Sequence, residues 1–133
     1  MPSEYRVDEA TGILHIRRWG ELTVAVDDEA RQRRRIDPGI PAQAPVLLDC
    51  REVSPPDTVE GVKHLAHQAS VLSKELDCGP IAIIVSGAAQ YGMARMYMAL
   101  TDASQPDTSV FRDYDEGLEW LKSRMQAGSG PTD

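Results

Sequence analysis

The chain has 133 residues, of which 41% are hydrophobic and 26% charged, and its formal net charge at pH 7 is −7. That length suits one domain with its own core, and the composition is typical of a globular protein. The acidic balance argues against nucleic acid or an anionic membrane surface as the main partner, because binding phosphate requires a basic surface. No apolar run approaches the roughly 20 residues that cross a bilayer, so we expect no membrane insertion.

The start of the chain and its two cysteines bear on the compartment. The first residues, MPSEYRVDEATG, are polar and lack the apolar segment of a secretory signal. Cys50 and Cys78 lie far apart in the chain, without the CxxC spacing of redox or metal sites. Without a secretory signal, such thiols are expected to stay reduced. We therefore expect a cytoplasmic protein.

The N-terminal segment has the pattern of a hairpin followed by a helix. Apolar residues alternate around Glu9-Ala10-Thr11-Gly12, which predicts an antiparallel hairpin over residues 4–19 that ends at Gly20. Thr23 is the expected N-cap of a helix that continues to about Arg35. Its arginines follow acidic residues at i,i+4 spacing, so we interpret them as a solvated face, with a patch for an acidic partner as the alternative. The basic cluster comprises Arg31, Arg33, Arg34 and Arg35.

The middle of the chain predicts a strand and a long helix. Residues 45–49 form a short buried strand, and a loop over residues 51–56 leads to a helix that Asp57 opens in a capping box with Glu60. One face of that helix is apolar. It carries Val62, Leu65, Ala66, Ala69, Leu72 and Leu76. His64 and His67 lie on the opposite side, so we interpret them as solvated residues and expect no metal or cofactor.

A second buried strand runs directly into a helix. Residues 81–85 are uninterruptedly apolar, as in strands covered on both faces, and the chain breaks at Ser86-Gly87. The apolar spacing predicts that Met93, Met96, Tyr97 and Leu100 form the buried face of the following helix. Two glycines at GxxxxG spacing open it, but the Lys and Ser or Thr of a nucleotide-binding loop are absent. We interpret this segment as a tight strand-to-helix turn.

The last elements complete an alternation of strands and helices. Residues 109–112 predict a strand, and Asp113 caps a helix with Glu116 at the third position. Leu118, Leu121 and Met125 are expected to point inward. The chain thus predicts an α/β fold with a mostly parallel sheet and a hairpin strand at one edge. We expect a single domain over residues 1–127 and a flexible tail over residues 128–133.

Two sets of side chains are candidate sites. Asp49 ends a buried strand at the edge where α/β proteins place functional groups, and Ser86 and Tyr91 are expected at the same edge. As a structural group it either accepts backbone N–H hydrogen bonds in its loop or pairs with Arg51 or Arg95, and as a functional group it serves an enzyme together with Arg95. The second set either lines a cavity for an apolar ligand or belongs to an ordinary core. It consists of Met93, Met96, Met98, Met125, Tyr97 and Trp120.

Several runs of the sequence together resemble the SpoIIAA-like small proteins, a branch of the STAS superfamily described as STAS/SEC14 domain-containing. The resemblance covers nearly the whole chain. It is carried by Trp19-Gly20 with Thr23, Val46-Leu47-Leu48-Asp49, Ala82-Ile83-Ile84-Val85, Tyr91-Gly92-Met93-Ala94-Arg95-Met96 and Val110-Phe111-Arg112-Asp113 with Glu116, Trp120 and Leu121. It implies a mixed four- to five-stranded sheet packed by about four helices, no established enzyme activity, and frequent dimeric association.

The resemblance also bears on function. In the sporulation members, a serine after an aspartate at the start of a helix is phosphorylated, and Asp57-Thr58 occupies that place here. Val59-Glu60 replaces the Ser-Gly that follows in the family, so we interpret Asp57 and Thr58 as helix-capping residues, with phosphorylation of Thr58 as the alternative. We expect a non-enzymatic regulatory or protein-interaction module that forms a homodimer and binds a protein partner. The alternative, from the SEC14 side, is a small apolar-ligand or lipid-binding protein. The expected interaction or ligand edge comprises Asp49, Asp57, Thr58, Ser86, Tyr91, Met93, Arg95 and Met96.

Overall fold

The computed structural model describes residues 3–21, 29, 32, 33, 36–41, 43–54, 58–75, 79–100 and 107–128. Its strands are β1 (Ser3–Val7), β2 (Leu14–Glu21), β3 (Val46–Ser54), β4 (Ile81–Ile84) and β5 (Thr108–Phe111). The helices that we number are α1 (Val59–Glu75), α2 (Ala88–Leu100) and α3 (Tyr114–Gly128). Most of the helix predicted over residues 23–35 lies outside the described residues, as do Asp57, Cys78 and residues 129–133.

The strands form one five-stranded sheet in the order β1-β2-β3-β4-β5. β1 and β2 are antiparallel, whereas the β2/β3, β3/β4 and β4/β5 pairs are parallel. The α/β class and the mixed sheet with a hairpin at one edge are therefore confirmed. Since the carboxyl ends of β2 to β5 lie at one edge, the residues that follow them are brought together there.

The hairpin turn is built by short hydrogen bonds and one glycine. The Asp8 N–H donates to the Ile13 carbonyl at 2.9 Å, and the Asp8 carboxylate accepts from the Ala10 N–H at 2.9 Å. Gly12 has φ = 78°, in the left-handed region that glycine adopts without strain. The β1/β2 pairing runs from Ser3 opposite Arg18 to Val7 opposite Leu14 and confirms the predicted hairpin, but β2 itself continues through Gly20 to Glu21, where it pairs with β3.

β3 is longer than the predicted strand and includes residues 51–54, which the sequence had indicated as loop. β4 pairs with β3 only as far as Asp49. β2 pairs with β3 beyond that point, with Trp19 opposite Glu52 and Glu21 opposite Ser54. The register shifts between Arg17 and Trp19, where β3 carries an extra residue. This part of β3 has a strand neighbour on one side and largely exposed residues, so it lacks the apolar run of a covered strand.

Alternate strand residues pack against helices on opposite faces of the sheet. Leu47 and Ile84 lie on the face that α3 covers, where Leu121 is fully buried. Ile83 and Val85 lie on the other face, against Tyr91, Ala94, Tyr97 and Met98 of α2. α1 packs beside α2, and its Val62, Leu65 and Ala66 are buried as predicted. The sheet is thus the central layer between α3 and the α1/α2 pair.

The buried face of α2 differs from the prediction. Tyr91, Ala94, Tyr97 and Met98 pack on the sheet side, whereas Leu100 is 41% exposed. Nearly every residue of this helix is apolar or small, so the apolar period alone did not determine which side faces the sheet. Only Tyr97 belongs to both the predicted and the observed face.

α3 follows the prediction closely. The Asp113 carboxylate accepts a hydrogen bond from the Asp115 N–H at 2.9 Å and so caps the helix. Leu118 and Met125 pack against the core, and Leu121 is buried within it. The preceding strand ends at Phe111, one residue earlier than expected.

Candidate functional site

Asp49 forms a two-point ion pair with Arg51 two residues further along β3. Its Oδ1 accepts from Arg51 Nε at 2.9 Å and its Oδ2 from Arg51 Nη2 at 2.8 Å. The Arg51 backbone N–H also donates to Oδ1 at 3.1 Å. These hydrogen bonds from Arg51 lower the pKa of the Asp49 carboxyl, and burial opposes them only in part. The interpretation that Asp49 pairs structurally with Arg51 is confirmed.

Arg51 connects this ion pair to α3 and β2. Its guanidinium lies over the Tyr114 ring at 5.3 Å from the centroid. The Tyr114 hydroxyl lies 3.4 Å from Nδ1 of His15. Burial lowers the pKa of His15, and the nearby positive charge of Arg6 adds to the effect. A neutral His15 with its proton on Nε2 can accept the Tyr114 hydrogen at Nδ1, so these residues form a polar chain across the α3 face of the sheet.

A second polar group lies on β1, β2 and β3. Arg17 donates to Glu52 at 3.0 Å and to Glu4 at 3.4 Å, and its guanidinium lies 4.8 Å from the centre of the Trp19 ring. The side chains of Arg17, Glu4 and Glu52 are 46%, 66% and 65% exposed, respectively. At this exposure an ion pair stabilises the fold by about 1 kcal/mol or less. The group therefore presents mixed charges and one aromatic ring to solvent.

Ser86 and Gln90 bind the part of β3 that extends beyond β4. Ser86 Oγ donates to the Arg51 carbonyl at 3.0 Å, and Gln90 Nε2 donates to the Val53 carbonyl at 2.7 Å. Gln90 Oε1 accepts from the Ser86 backbone N–H at 2.9 Å. These two side chains replace the strand neighbour that β3 lacks here. The first turn of α2 thus fixes the carboxyl end of β3.

The other candidates on α2 lie on or beside its outer surface. Arg95 Nη1 donates to the Tyr91 hydroxyl at 3.3 Å, and its guanidinium lies 5.9 Å from the ring centre. Arg95 is exposed, and Met93 and Met96 are half-buried. Gly92 is exposed, and a Cβ there would meet nothing within 4 Å. This surface carries a single charged group along the whole helix.

Thr58 begins α1 as a capping residue. Its Oγ1 accepts from the Gly61 N–H at 3.1 Å, the hydrogen bond of an N-cap. Glu60 forms an i,i+3 ion pair with Lys63 at 3.6 Å. The N-cap is therefore Thr58, with Gly61 at the third position, so Glu60 does not complete the capping box predicted with Asp57. Asp57 itself lies outside the described residues.

The candidate sites are divided between the two faces of the sheet. Asp49 lies on the α3 face with Arg51 and Tyr114, whereas Arg95 belongs to α2 and contacts Tyr91. The hypothetical enzyme pair of Asp49 and Arg95 is therefore not assembled. The apolar set is divided likewise. Met98 and Tyr97 pack on the α2 face, and Met125 and Trp120 pack on the α3 face.

Gln90, His15 and Tyr114 were not among the predicted site residues. Gln90 follows Ser86-Gly87 in the first turn of a helix, a position near the end of the neighbouring strand, but the sequence assigns its partner Val53 to a loop and so does not indicate the contact. His15 and Tyr114 are 99 positions apart and meet only through the sheet order. No local sequence pattern indicates that contact.

The described residues contain no group of three or more His, Cys, Asp and Glu side chains placed to hold a metal ion. His64 and His67 are exposed on α1, on the side predicted from the sequence. Across the same part of the chain, no helix is both long and apolar enough to cross a membrane.

Comparison with known proteins identifies the fold. The chain is similar to the crystal structure of an uncharacterised protein of the DUF3478 family with a SpoIIAA-like fold, from Shewanella loihica PV-4. The two share 19% sequence identity over 90% of this chain and 93% of the other, with a TM-score of 0.60. This chain therefore has a SpoIIAA-like fold, as the sequence resemblance implied. No family model and no curated protein matches it.

Proposed function

We propose that this chain is a non-enzymatic, cytoplasmic STAS-like module that regulates its target by binding a protein partner and that associates with a second copy of itself. The SpoIIAA-like fold supports the STAS-like class. The outer surface of α2 supports the function within that class.

The observation that carries the proposal is the composition of that outer surface. Exposed residues of α2 are small or apolar apart from one arginine, although the chain as a whole is 26% charged. They are Ala88, Ala89, Gly92, Arg95, Ala99 and Leu100. Protein interfaces are depleted of charge in their centre and enriched in methionine, aromatic residues and arginine. Met93, Met96 and Tyr91 border this surface, so its low charge, its arginine and its bordering side chains match an interface, whereas its exposed alanines provide only small contact groups.

The positive charge of Arg95 indicates which group the partner presents at this surface. Arg95 is oriented over Tyr91, and a guanidinium that is already oriented binds a carboxylate with less loss of side-chain freedom. Small residues at positions 88, 92 and 99 permit a partner helix to approach closely. The partner is therefore a protein with an apolar surface and a carboxylate that faces Arg95.

Gly92 provides the test, because its side-chain position is open. Gly92→Lys and Gly92→Ala both suit a helix, and each is expected to raise the unfolding free energy by about 0.5–1 kcal/mol. Gly92→Lys adds a long charged side chain in the centre of the surface, whereas Gly92→Ala keeps it small. A photo-crosslinking residue at Ala99 in the producing cells, with Glu119 on α3 as the matched exposed position, would identify the partner.

The proposal expects one protein to be crosslinked at position 99 and not at position 119. Isothermal titration of that purified protein should show binding to the wild type and to Gly92→Ala, and at least ten-fold weaker binding to Gly92→Lys. If Gly92→Lys bound with unchanged affinity, or if no protein were crosslinked at position 99, this surface would not be the interface.

The apolar-ligand alternative is not favoured by any contact among the described residues. Four members of the set that would have lined its cavity are divided between the two faces of the sheet, because Tyr97 and Met98 pack in one cluster and Trp120 and Met125 in another. The described residues therefore do not gather the whole set around one cavity.

A further inference from the structure

The outer edge of β1 is the second surface with a defined chemistry. β1 is the terminal strand of the sheet, and its only strand neighbour among the described residues is β2. Exposed strand edges pair readily with another strand. Glu4 and Arg6 are both exposed on β1, one on each side of Tyr5.

We propose that two copies of this chain join their sheets by antiparallel pairing of β1 with β1 about a two-fold axis at Tyr5. The inference rests on the self-association included in the proposed function and names the interface. In this arrangement Glu4 of one copy faces Arg6 of the partner subunit, and the reverse contact forms by symmetry.

Charge determines this register. A two-fold axis perpendicular to a continuous sheet places residues of the same face opposite each other, so the strands can slide only in steps of two residues. Centring the axis on Glu4 would place like carboxylates together, and centring it on Arg6 would oppose two guanidiniums. Only the axis at Tyr5 pairs opposite charges at both positions, and like charges directly opposite each other destabilise a strand pair.

The backbone of β1 is oriented for pairing in every register that keeps residues of the same face opposite each other, and the register that charge selects is one of these. The Asp8 N–H donates to Ile13 in β2, and hydrogen-bonded pairs alternate along an antiparallel ladder, so Val7 directs its backbone groups outward. The Leu14 N–H, opposite Val7, accordingly donates to the Pro45 carbonyl on the β3 side at 2.8 Å. An axis at Tyr5 brings Val7 opposite Ser3 of the partner subunit, which has the same orientation. Glu4 and Arg6 then form the closer, non-hydrogen-bonded pairs.

Charge reversal on β1 tests the interface. Arg6→Glu leaves the contact between Arg17 and Glu4 in place but opposes two carboxylates in the dimer. The double variant Glu4→Arg/Arg6→Glu restores opposite charges in exchanged positions. Lys122→Glu, on the exposed side of α3, changes the net charge by the same amount as Arg6→Glu and serves as the control. Sedimentation velocity over a range of concentrations measures the dimer dissociation constant of each protein.

We expect wild type and Lys122→Glu to dimerise alike, Arg6→Glu to weaken the dimer roughly ten-fold, and the double variant to recover most of the loss. A dimer unaffected by Arg6→Glu would overturn this interface but leave self-association intact. A wild type that stays monomeric would overturn both, without bearing on the partner surface of α2.

Amide exchange provides a measurement that needs no substitution. In the dimer the Val7 amide hydrogen-bonds across the interface, so its exchange should slow as protein concentration rises. The Arg6 amide faces β2 and should be protected equally at all concentrations. A Val7 amide that exchanged at the same rate in dilute and concentrated samples would contradict the proposal even if Arg6→Glu failed to fold.

Discussion

The position of Asp49 in the sheet suggests a functional residue, whereas its contacts are those of a structural one. It lies at the edge where parallel sheets place functional side chains, and this position makes it a candidate functional residue. Its two oxygens instead accept three hydrogen bonds from Arg51. A carboxylate occupied in this way keeps a low pKa, so it is poorly suited to accept a proton in catalysis near neutral pH. The pair holds Arg51 over Tyr114 and so connects β3 to α3.

Asp49→Asn is expected to lower the unfolding free energy by about 1–2 kcal/mol at pH 7, because it removes a charge-assisted pair of hydrogen bonds at a partly exposed position. The folded-state pKa of Asp49 is depressed, so its contribution is complete above the unfolded-state pKa near 4 and is lost as the pH falls through the lower folded-state value. Urea titrations of both proteins between pH 7 and pH 2.5 measure this difference.

The control for this prediction is Glu119→Gln, which neutralises an exposed carboxylate on α3. It should change the unfolding free energy by less than about 0.5 kcal/mol. The difference between wild type and Asp49→Asn should narrow below pH 4. A difference that stayed constant down to pH 2.5 would show that the Asp49 charge is not what stabilises the fold.

At the scale of elements, the sequence predicted strands and helices where the apolar pattern was unambiguous. The β4 strand and the inward residues of α3 follow from uninterrupted or strictly periodic apolar positions. The pattern was not sufficient for α2, which is apolar nearly all round, or for the end of β3, whose polar residues pair with β2 alone. Both errors arise because neighbouring elements, rather than local preference, determine which side of an element is covered.

The candidate site was predictable to the same extent. Parallel strand ends correctly indicated that Ser86 would lie beside β3, where it contacts the Arg51 carbonyl. The role of Gln90 depends on β3 extending past its β4 neighbour, which the sequence did not indicate. The contact between His15 and Tyr114 depends on the strand order. Side chains that satisfy tertiary backbone groups therefore escape sequence analysis even when they are close in sequence to predicted residues.

The Gln90 contact leads to a prediction about α2 and β3 together. Gln90→Ala should lower the unfolding free energy by about 1–3 kcal/mol, because the part-buried Val53 carbonyl loses its hydrogen-bond donor. Gln90→Glu keeps the shape and an acceptor for the Ser86 N–H, but it places a carboxylate against the Val53 and Arg51 carbonyls. Gln90→Glu should therefore lower the unfolding free energy at least as much as Gln90→Ala does. Urea unfolding followed by circular dichroism measures both.

Glu119→Ala provides the matched truncation at an exposed helical position and should be nearly neutral. Amide exchange in residues 51–54 should increase in both Gln90 variants more than in the rest of β3, because that part of the strand loses contacts with α2. Uniform loss of protection along the whole of β3 would argue against a local clamp at its carboxyl end.

At the scale of the whole molecule, the stability of a sheet covered on both faces depends on the helices that cover each face. Among the described helices, α3 is the one that covers the face carrying Ile13, Leu47 and Ile84, all of which are nearly inaccessible to solvent. It approaches so closely that a Cβ at Gly117 would overlap Ile84. Burying one large aliphatic side chain stabilises a protein by about 1.5–3 kcal/mol, whereas whole domains are stable by about 5–15 kcal/mol. Losing this layer would therefore exceed the stability of the domain.

A chain that ends at residue 111 should consequently fail to unfold cooperatively in urea, whereas a chain that ends at residue 128 should keep the unfolding free energy of the full chain within about 0.5 kcal/mol. The second variant tests the domain boundary that the sequence predicts near residue 127. Leu121→Ala in the full chain weakens the packing of α3 without removing the helix. It should lower the unfolding free energy by about 2–5 kcal/mol, because it leaves a cavity between α3 and the sheet. A cooperative transition in the chain that lacks α3 would show that the α1/α2 layer and the sheet are sufficient to form the domain.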